Sequence, residues 1–230
     1  MSSKTEFNIP QIAKNPHLTA HEHTYYRLRN ALMVGAIKPG SALKIRVVAQ
    51  YLGVSPTPVR EALRRLSSES ALEVLGNRRI VVPTMSEGRF EELIMLRVEL
   101  ECLAAKRALP YVSDMLISKM AAIDTRMDQA LDESNYDFLT VLNQQFHELL
   151  YTANTDQAVM PLIESVWLQL GPFQRQVINV VMNYYRVDRH KEVLAALGQR
   201  DEAALLAATK ADIVDGIGRA GASVIGEILS

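Results

Sequence analysis

The fold of the first third of the chain follows from the stretch Ser55-Pro-Thr-Pro-Val-Arg-Glu-Ala-Leu63. Before it, residues Leu43–Leu52 predict a short helix, and Gly53 predicts a tight turn after that helix. Pro56 and Pro58 both fall in the first turn of the next helix, where no backbone N–H needs a partner, so they start that helix rather than break it. A short helix, a glycine turn and a second helix of this length predict a helix-turn-helix, whose second helix enters the DNA major groove.

The second helix of this motif presents a polar and basic face. Thr57, Arg60 and Arg64 lie on that face, and Ser55 stands where a residue caps the helix. Basic side chains on a helix that enters the groove bind phosphate and read base edges. The motif therefore predicts sequence-specific binding to double-stranded DNA.

A β-hairpin is predicted directly after the motif. Residues 71–75 and 80–82 are rich in β-forming side chains, and the turn between them contains Gly76, Asn77, Arg78 and Arg79. A hairpin in this position forms a wing. Arg78 and Arg79 at its tip are expected to contact phosphate or the minor groove, and a merely solvated tip is the alternative.

The charge of the chain is divided between its two parts. Residues 1–84 contain 12 Lys and Arg against 5 Asp and Glu, a net charge of +7, whereas residues 85–230 contain 13 against 21, a net charge of −8. A basic first part beside an acidic remainder indicates that one part alone contacts nucleic acid. Chance segregation of surface charge is the alternative, and the helix-turn-helix favours DNA binding over it.

Composition and breakers divide the chain into three segments. Residues 1–20 predict a flexible arm, residues 21–84 hold the winged helix-turn-helix, and residues 85–230 show helical periodicity throughout. Helix-breaking residues, among them Gly171-Pro172, divide this region into predicted helices near 86–109, 112–132, 136–153, 156–170, 172–183, 185–197 and 201–228. The expected fold class is mainly α: an N-terminal winged helix-turn-helix and a C-terminal all-α bundle of six or seven helices.

The sequence also indicates a cellular compartment. One cysteine, Cys102, excludes an internal disulfide, and the first residues lack the apolar core of a signal peptide. Since no apolar run approaches bilayer length, we expect a soluble cytoplasmic protein that does not contact a membrane.

The first part of the chain resembles the winged helix of GntR-family transcriptional regulators. The resemblance spans about residues 24–83 and rests above all on Gly35-Ala-Ile-Lys-Pro-Gly40 and Thr57-Pro-Val-Arg-Glu-Ala-Leu63. It implies a homodimer that binds a short palindromic operator, with repression expected rather than activation. It also implies DNA contacts by Arg46, Thr57, Arg60 and the wing tip.

This chain departs from the family pattern at two DNA-binding positions. Pro56 stands where the family often has a base-reading arginine, and Arg79 stands where it often has the wing glycine. Base specificity is therefore expected to depend more on Arg46, Thr57 and Arg60.

The second part resembles the all-helical FCD domain of the FadR subfamily. The matching residues are Leu96-Arg-Val-Glu-Leu-Glu101, Phe146-His147, Asn154 and His190, with the spacing between them. The resemblance implies an effector cavity in each helical domain, and a small carboxylic acid is the expected effector.

Many FCD domains hold a divalent metal with an aspartate and a histidine at i and i+4 and two later histidines. His147 and His190 match this pattern, whereas Asn143 replaces the aspartate and Asp212 replaces the last histidine, 22 residues beyond His190. Two imidazoles, a carboxylate and an amide oxygen suit Zn²⁺, Ni²⁺ or Mn²⁺. Hydrogen-bonded interior histidines without a metal are the alternative.

Other residues are candidates for holding the effector. Arg97 shares a helix face with leucines, and its planar guanidinium fits a carboxylate. A salt bridge from Arg97 to Glu101, or to a carboxylate on a neighbouring helix, is the alternative. Weaker effector-binding candidates are Arg175, Asn179, Asn183 and Tyr184.

Two further functions use the same residues. In a direct metal sensor, the ion itself would be the effector. In a metal-dependent hydrolase, His147, His190 and Asp212 would hold a catalytic ion, but Glu148 follows His147 directly and so points to a different helix face. Because the hydrolase lacks a general base and leaves the winged helix unexplained, we expect that the protein is not an enzyme.

Overall fold

A computed structural model describes residues 9–12, 16–180 and 189–229 of the chain. By their internal contacts the residues form two compact units. One unit consists of Met1–Met85 with Trp167–Gln176, and the other of Ser86–Val166 with Val177–Ser230. Within the described ranges, no helix combines the length and the apolarity that crossing a bilayer requires.

The first unit is a winged helix-turn-helix, as the sequence predicted. Its elements in chain order are α1 (Ala20–Met33), α2 (Ile45–Leu52), α3 (Pro56–Ser68), β1 (Glu73–Val74) and β2 (Ile80–Val81). The turn between α2 and α3 depends on Gly53, whose φ of 68° lies in the left-handed region that glycine adopts without strain. The strands pair antiparallel, with Glu73 opposite Val81, and Ala42 forms a further bridge to Val81.

Aliphatic side chains fill the core of this unit. Leu28 and Leu32 from α1 pack with Leu63 and Leu66 from α3, and all four are fully buried. Within the predicted flexible arm, Ile9 joins this core at 2% exposure. Burial of these apolar faces stabilises the packing of α1 against α3 and leaves the opposite face of α3 in solvent.

The second unit is all-helical, which confirms the predicted fold class. Its described helices are α4 (Glu87–Ala108), α5 (Asp114–Asp132), α6 (Tyr136–Tyr151), α8 (His190–Gln199), α9 (Glu202–Ile213) and α10 (Arg219–Leu229), together with the two ends of α7 (Met160–Val180), whose residues Trp167–Gln176 belong to the first unit. A 3₁₀ turn, Leu109–Tyr111, follows α4. The helix predicted over 185–197 is described only from His190, because residues 181–188 lie outside the described ranges.

The predicted break at Gly171-Pro172 is wrong, because α7 runs through both residues. Gly171 serves a close approach instead: a Cβ there would overlap the carbonyl oxygens of Leu32 and Met33 on α1. Leu170 and Phe173 beside it are buried at 1% and 2% exposure. Packing of this kind outweighs the one helical hydrogen bond that an interior proline removes.

The single last helix predicted over 201–228 is also wrong. A π-helical turn, Val214–Gly218, separates α9 from α10, and Gly216 within it has a non-helical ψ of −108°. Glycine tolerates such a backbone conformation because it has no Cβ. The turn begins two residues after Asp212, so Asp212 lies near the C-terminal end of α9.

Candidate functional site

The face of α3 that the sequence assigned to DNA is exposed. Thr57, Arg60 and Arg64 all lie in solvent, while Val59 and Leu63 on the opposite face are fully buried. Ser55 occupies the N-cap position and is exposed, but in the described structure its hydroxyl does not make the expected capping bond. The helix thus offers one hydroxyl and two guanidinium groups outward from a rigid core.

Three further arginines of the first unit are exposed at positions that the sequence singled out. Arg46 is the second residue of α2, and Arg78 and Arg79 lie at the wing tip. The N–H of Arg78 donates to the carbonyl of Leu75 at 2.8 Å, which closes the turn. Arg78 has a φ of 62°, so Arg78 rather than Arg79 is the residue of the wing turn with a left-handed backbone conformation.

The second unit contains a cluster of ionisable side chains in its interior. His147 on α6, His190 at the start of α8 and Asp212 on α9 each offer a ligand atom, and these atoms all lie within 4.8 Å of one another. The Nε2 atom of His147 is 3.2 Å from Oδ2 of Asp212, and the Nε2 atom of His190 is 3.8 Å from Oδ1. The structure therefore brings together three of the four residues predicted to bind metal.

Opposing influences act on the carboxyl group of Asp212. Burial by itself raises its pKa, but the hydrogen bond and charge of His147, the charge of His190 and the backbone N–H of Arg189 outweigh burial. The pKa is consequently held well below the ordinary value for aspartate. The N–H of Arg189 donates to Oδ1 of Asp212 at 3.1 Å. The carboxyl group of Asp212 is accordingly ionised at neutral pH, which is the form in which a carboxylate can bind a metal.

The chemistry of these three side chains fits a divalent transition metal. Two imidazoles and a carboxylate are ligands that Zn²⁺ and Ni²⁺ bind well. The Nε2 atoms of His147 and His190 are buried and lie 3.2 and 3.8 Å from the two oxygens of the Asp212 carboxylate. A cation between these atoms would pair with the buried carboxylate and with both ring nitrogens.

A second set of buried side chains surrounds the histidines. The hydroxyl of Tyr151 lies 3.0 Å from Oε2 of Glu101 and 3.3 Å from Nδ1 of His147. On the other side, Oδ1 of Asp124 lies 3.3 Å from Nδ1 of His190. Burial, followed by the charge of Glu101, raises the pKa of Tyr151 well above its ordinary value, so the phenol stays neutral.

Sequence reasoning missed Tyr151 and Asp124 as parts of this centre. Tyr151 follows His147 by four residues and so shares its helix face, a signal that the spacing contained. Asp124 lies on α5, and nothing in its local sequence distinguishes it from the solvent-facing carboxylates of that helix. Its role depends on the packing of α5 beside α8, which is a tertiary property.

The other predicted site residues have separate locations. Arg97 donates two hydrogen bonds to Glu101, at 2.6 and 3.3 Å, which is one of the two salt bridges that the sequence left as alternatives. Arg175 belongs to the first unit. Asn143 is half-buried one helical turn before His147. The side chain of Asn179 and all of Asn183 and Tyr184 lie outside the described residues.

Comparisons with known proteins agree with both units. Residues 20–82 match the model for bacterial regulatory proteins of the gntR family, and residues 92–215 match the model for the FCD domain. The HTH-type transcriptional regulator McbR of Escherichia coli is 27% identical over 197 residues, which cover 84% of this chain and 89% of McbR. The gluconate operon transcriptional repressor of Bacillus subtilis is 26% identical over 191 residues, covering 79% of this chain and 76% of the repressor.

Solved structures show the same fold. A structure of E. coli McbR/YncC superposes with a TM-score of 0.84 at 23% identity, covering 93% of this chain and all of that one. A structure of a transcriptional regulator from Rhodococcus sp. RHA1 gives a TM-score of 0.69 at 22% identity, covering 90% of this chain and 97% of that one. At these identities the likeness extends to the fold alone.

Proposed function

Because the chain belongs to the gntR family of bacterial regulatory proteins and carries an FCD domain, we propose that it represses transcription as a homodimer on a palindromic operator. We further propose that a small carboxylate metabolite changes its affinity for that operator, with a divalent metal bound in the helical unit. That the chain is a transcriptional regulator, and not an enzyme, follows from its family and its relatives.

One observation carries the DNA-binding proposal. The exposed face of α3 presents Thr57, Arg60 and Arg64 on a helix whose other face is fixed by buried leucines. Ser55 is the N-cap residue of α3, and Arg46 is the second residue of α2. Arg78 and Arg79 are exposed at the wing tip. In a twofold dimer, two such helices read half-sites about one turn of DNA apart. Because a bacterial transcriptional regulator must bind chromosomal DNA, we propose a cytoplasmic location.

His147, His190 and Asp212 are the residues that would hold the metal, with Asn143 as a candidate fourth ligand. When bound, Zn²⁺, Ni²⁺ or Mn²⁺ would offer open coordination positions to an effector carboxylate or hydroxyl. Asp212 contributes an ionised carboxylate, because His147 first, then His190 and the backbone N–H of Arg189, lower the pKa of its carboxyl group. Because these side chains are buried, electrostatic interactions among them are stronger than in water.

The burial of the centre supports a second candidate function. His147 and His190 are exposed to only 2% and 0%, which is typical of closed metal sites that hold an ion without an organic partner. In that case the protein would respond to the metal itself. The two candidates share the DNA-binding half and differ only in what the helical unit must bind.

The experiment begins with operator selection from a random DNA library, followed by affinity measurements at two salt concentrations. We expect a palindromic sequence whose binding weakens steeply with salt. Affinity is then measured with Zn²⁺ alone and with Zn²⁺ plus a panel of small hydroxy and sugar acids. A change that needs an acid supports the metabolite regulator, and a change with Zn²⁺ alone supports the sensor. A failure to enrich any sequence would overturn the proposal.

A further inference from the structure

We infer that the winged-helix unit contains a binding site of its own, for a small organic carboxylate with an apolar body. The site is a cavity of about 630 Å³ beside the start of α1, a volume within the range of small-molecule sites in proteins. All the described residues that line it belong to the first unit. The inference therefore does not rest on the metal centre of the proposed function.

A buried arginine on α1 is the anchor of this site. Arg27 lines the cavity and is exposed to only 7%. Its guanidinium donates to the carbonyl oxygens of Pro10 and Ile9 at 3.3 and 3.5 Å, which are long distances for N–H···O hydrogen bonds. A guanidinium has five N–H groups, so these two bonds leave the others for a ligand.

The charge of Arg27 lacks the balance that the other unit gives to its buried arginine. Arg97, at 6% exposure, pairs with Glu101 at 2.6 Å. Among the described residues, Arg27 has no carboxylate partner, and no aspartate or glutamate lines the cavity. The carboxylate of Glu22 on the same helix instead accepts from the backbone N–H of Thr19 at 2.8 Å. Because a buried cation without a counter-charge is costly, a ligand carboxylate that binds the guanidinium is favoured.

His23 supplies a second polar group on the same face of α1. It precedes Arg27 by four residues, so the two side chains are neighbours on the helix surface, and both line the cavity. The Nε2 atom of His23 is buried and has no hydrogen-bond partner within the described ranges. An imidazole N–H there can donate to one carboxylate oxygen while the guanidinium binds the other. This pair of donors selects an anion over a neutral ligand.

The other walls of the cavity indicate the body of the ligand. They include Leu18 before α1 and residues 52–54, which form the turn between α2 and α3. Apolar walls with a few polar groups are typical of small-molecule sites, whereas an inorganic anion would leave most of this volume unfilled. The burial of Arg27 also favours a small molecule over a DNA phosphate, which exposed arginines such as Arg60 reach more readily. An occupant would contact the turn of the helix-turn-helix itself.

The test uses the full-length protein treated with EDTA, so that no metal in the helical unit can bind an acid. The probes are 4-phenylbutyrate and octanoate, each titrated by calorimetry beside its neutral amide, which has the same body without the charge. We expect at least one acid to bind about 10- to 100-fold more tightly than its amide, because its hydrogen bonds join charged groups. Methyl ¹H–¹³C spectra should shift at Leu18, Leu52 and Val54, and not at Leu142, which is fully buried in the helical unit.

A matched pair of variants tests the role of the anchor. Arg27→Gln should weaken binding of the acid to the level of the amide and leave the amide unaffected, whereas Lys38→Gln, which removes an exposed charge from the same unit, should change neither affinity. The comparison of acid with amide needs no variant, so it holds even if Arg27→Gln does not fold. Equal affinities for acid and amide, no binding of either acid, or shifts confined to the helical unit would overturn the inference. So would a folded Arg27→Gln variant that keeps full acid affinity but loses DNA affinity and salt dependence, since Arg27 would then be a phosphate contact.

Discussion

The two units of this protein bury different kinds of side chain. The interior of the winged helix is lined by Leu28, Leu32 and Leu63, and its functional arginines lie on the surface. The helical unit instead encloses His147 and His190 together with charged groups. An aliphatic core gains stability in proportion to the area it removes from water, almost independently of what the surface binds.

A buried polar centre behaves differently, because each member depends on its partners. A satisfied network specifies one arrangement, whereas loss of one member leaves a charge or a hydrogen-bonding group exposed to a low dielectric. In the helical unit, therefore, the residues that would bind a ligand are also the residues that most affect folding. In the winged helix, the residues expected to bind DNA lie on the surface, and different residues in the core stabilise the fold.

The largest effect is expected from breaking the buried ion pair on α4. Glu101→Leu leaves Arg97 charged and without its carboxylate, and we expect the free energy of unfolding in urea to fall by about 3–5 kcal/mol. The double variant Arg97→Leu/Glu101→Leu removes both charges and should recover more than half of that loss. If the double variant loses as much free energy of unfolding as Glu101→Leu and Arg97→Leu lose together, the two residues are not coupled and this account is contradicted.

A core substitution in the winged helix should cost stability without affecting the histidine centre. Leu63 is fully buried, and Leu63→Ala is expected to lower the free energy of unfolding of that unit by about 2–5 kcal/mol. The imidazole ¹⁵N spectra of His147 and His190 should remain those of the natural sequence at a temperature where the variant is folded. Altered spectra would show that the two interiors are not separate.

A surface substitution on α3 should affect DNA binding alone. Arg60→Ala is expected to weaken operator binding by about 1–3 kcal/mol if the guanidinium reads a guanine, with a smaller effect on random DNA. The control is Lys119→Ala, which removes the same charge from an exposed site in the helical unit. Equal losses on operator and random DNA would make Arg60 a phosphate contact and leave base reading to Thr57 and Arg46.

The smallest effect is expected at the wing tip. Arg78 adopts a φ of 62°, which costs a residue other than glycine a modest amount of free energy. Arg78→Gly should raise stability by less than about 1 kcal/mol and lower the salt dependence of DNA binding by about one phosphate contact. Arg79→Gly, where the backbone φ is not positive, should lower stability instead. A higher free energy of unfolding for Arg79→Gly than for Arg78→Gly would contradict this account of the wing.

Local signals predicted the first unit well. The glycine turn at Gly53, the prolines at the start of α3 and the hairpin around Asn77 are each encoded within a few residues. The family resemblance, rather than spacing within one helix, grouped His147 with His190 and Asp212, which the structure places close together. Where the sequence pattern misled, at Gly171, the glycine serves contact between distant helices rather than the end of one.

The surroundings of the histidines could be predicted only in part. Arg97 and Glu101 are four residues apart, so their pairing was foreseeable, but which of two roles the arginine takes depends on its neighbours. The contact between Asp124 and His190 joins residues far apart in sequence. Such a contact is fixed by the packing of α5 against α8, and no spacing rule contains it.

The central claim is that the buried His147–His190–Asp212 cluster binds a metal. The most direct measurement is elemental mass spectrometry of the purified protein, beside the double variant His147→Ala/His190→Ala. Our account predicts close to one transition-metal ion per chain in the natural sequence and none in the variant. No metal in either protein, even after incubation with Zn²⁺, Ni²⁺ and Mn²⁺, would contradict it.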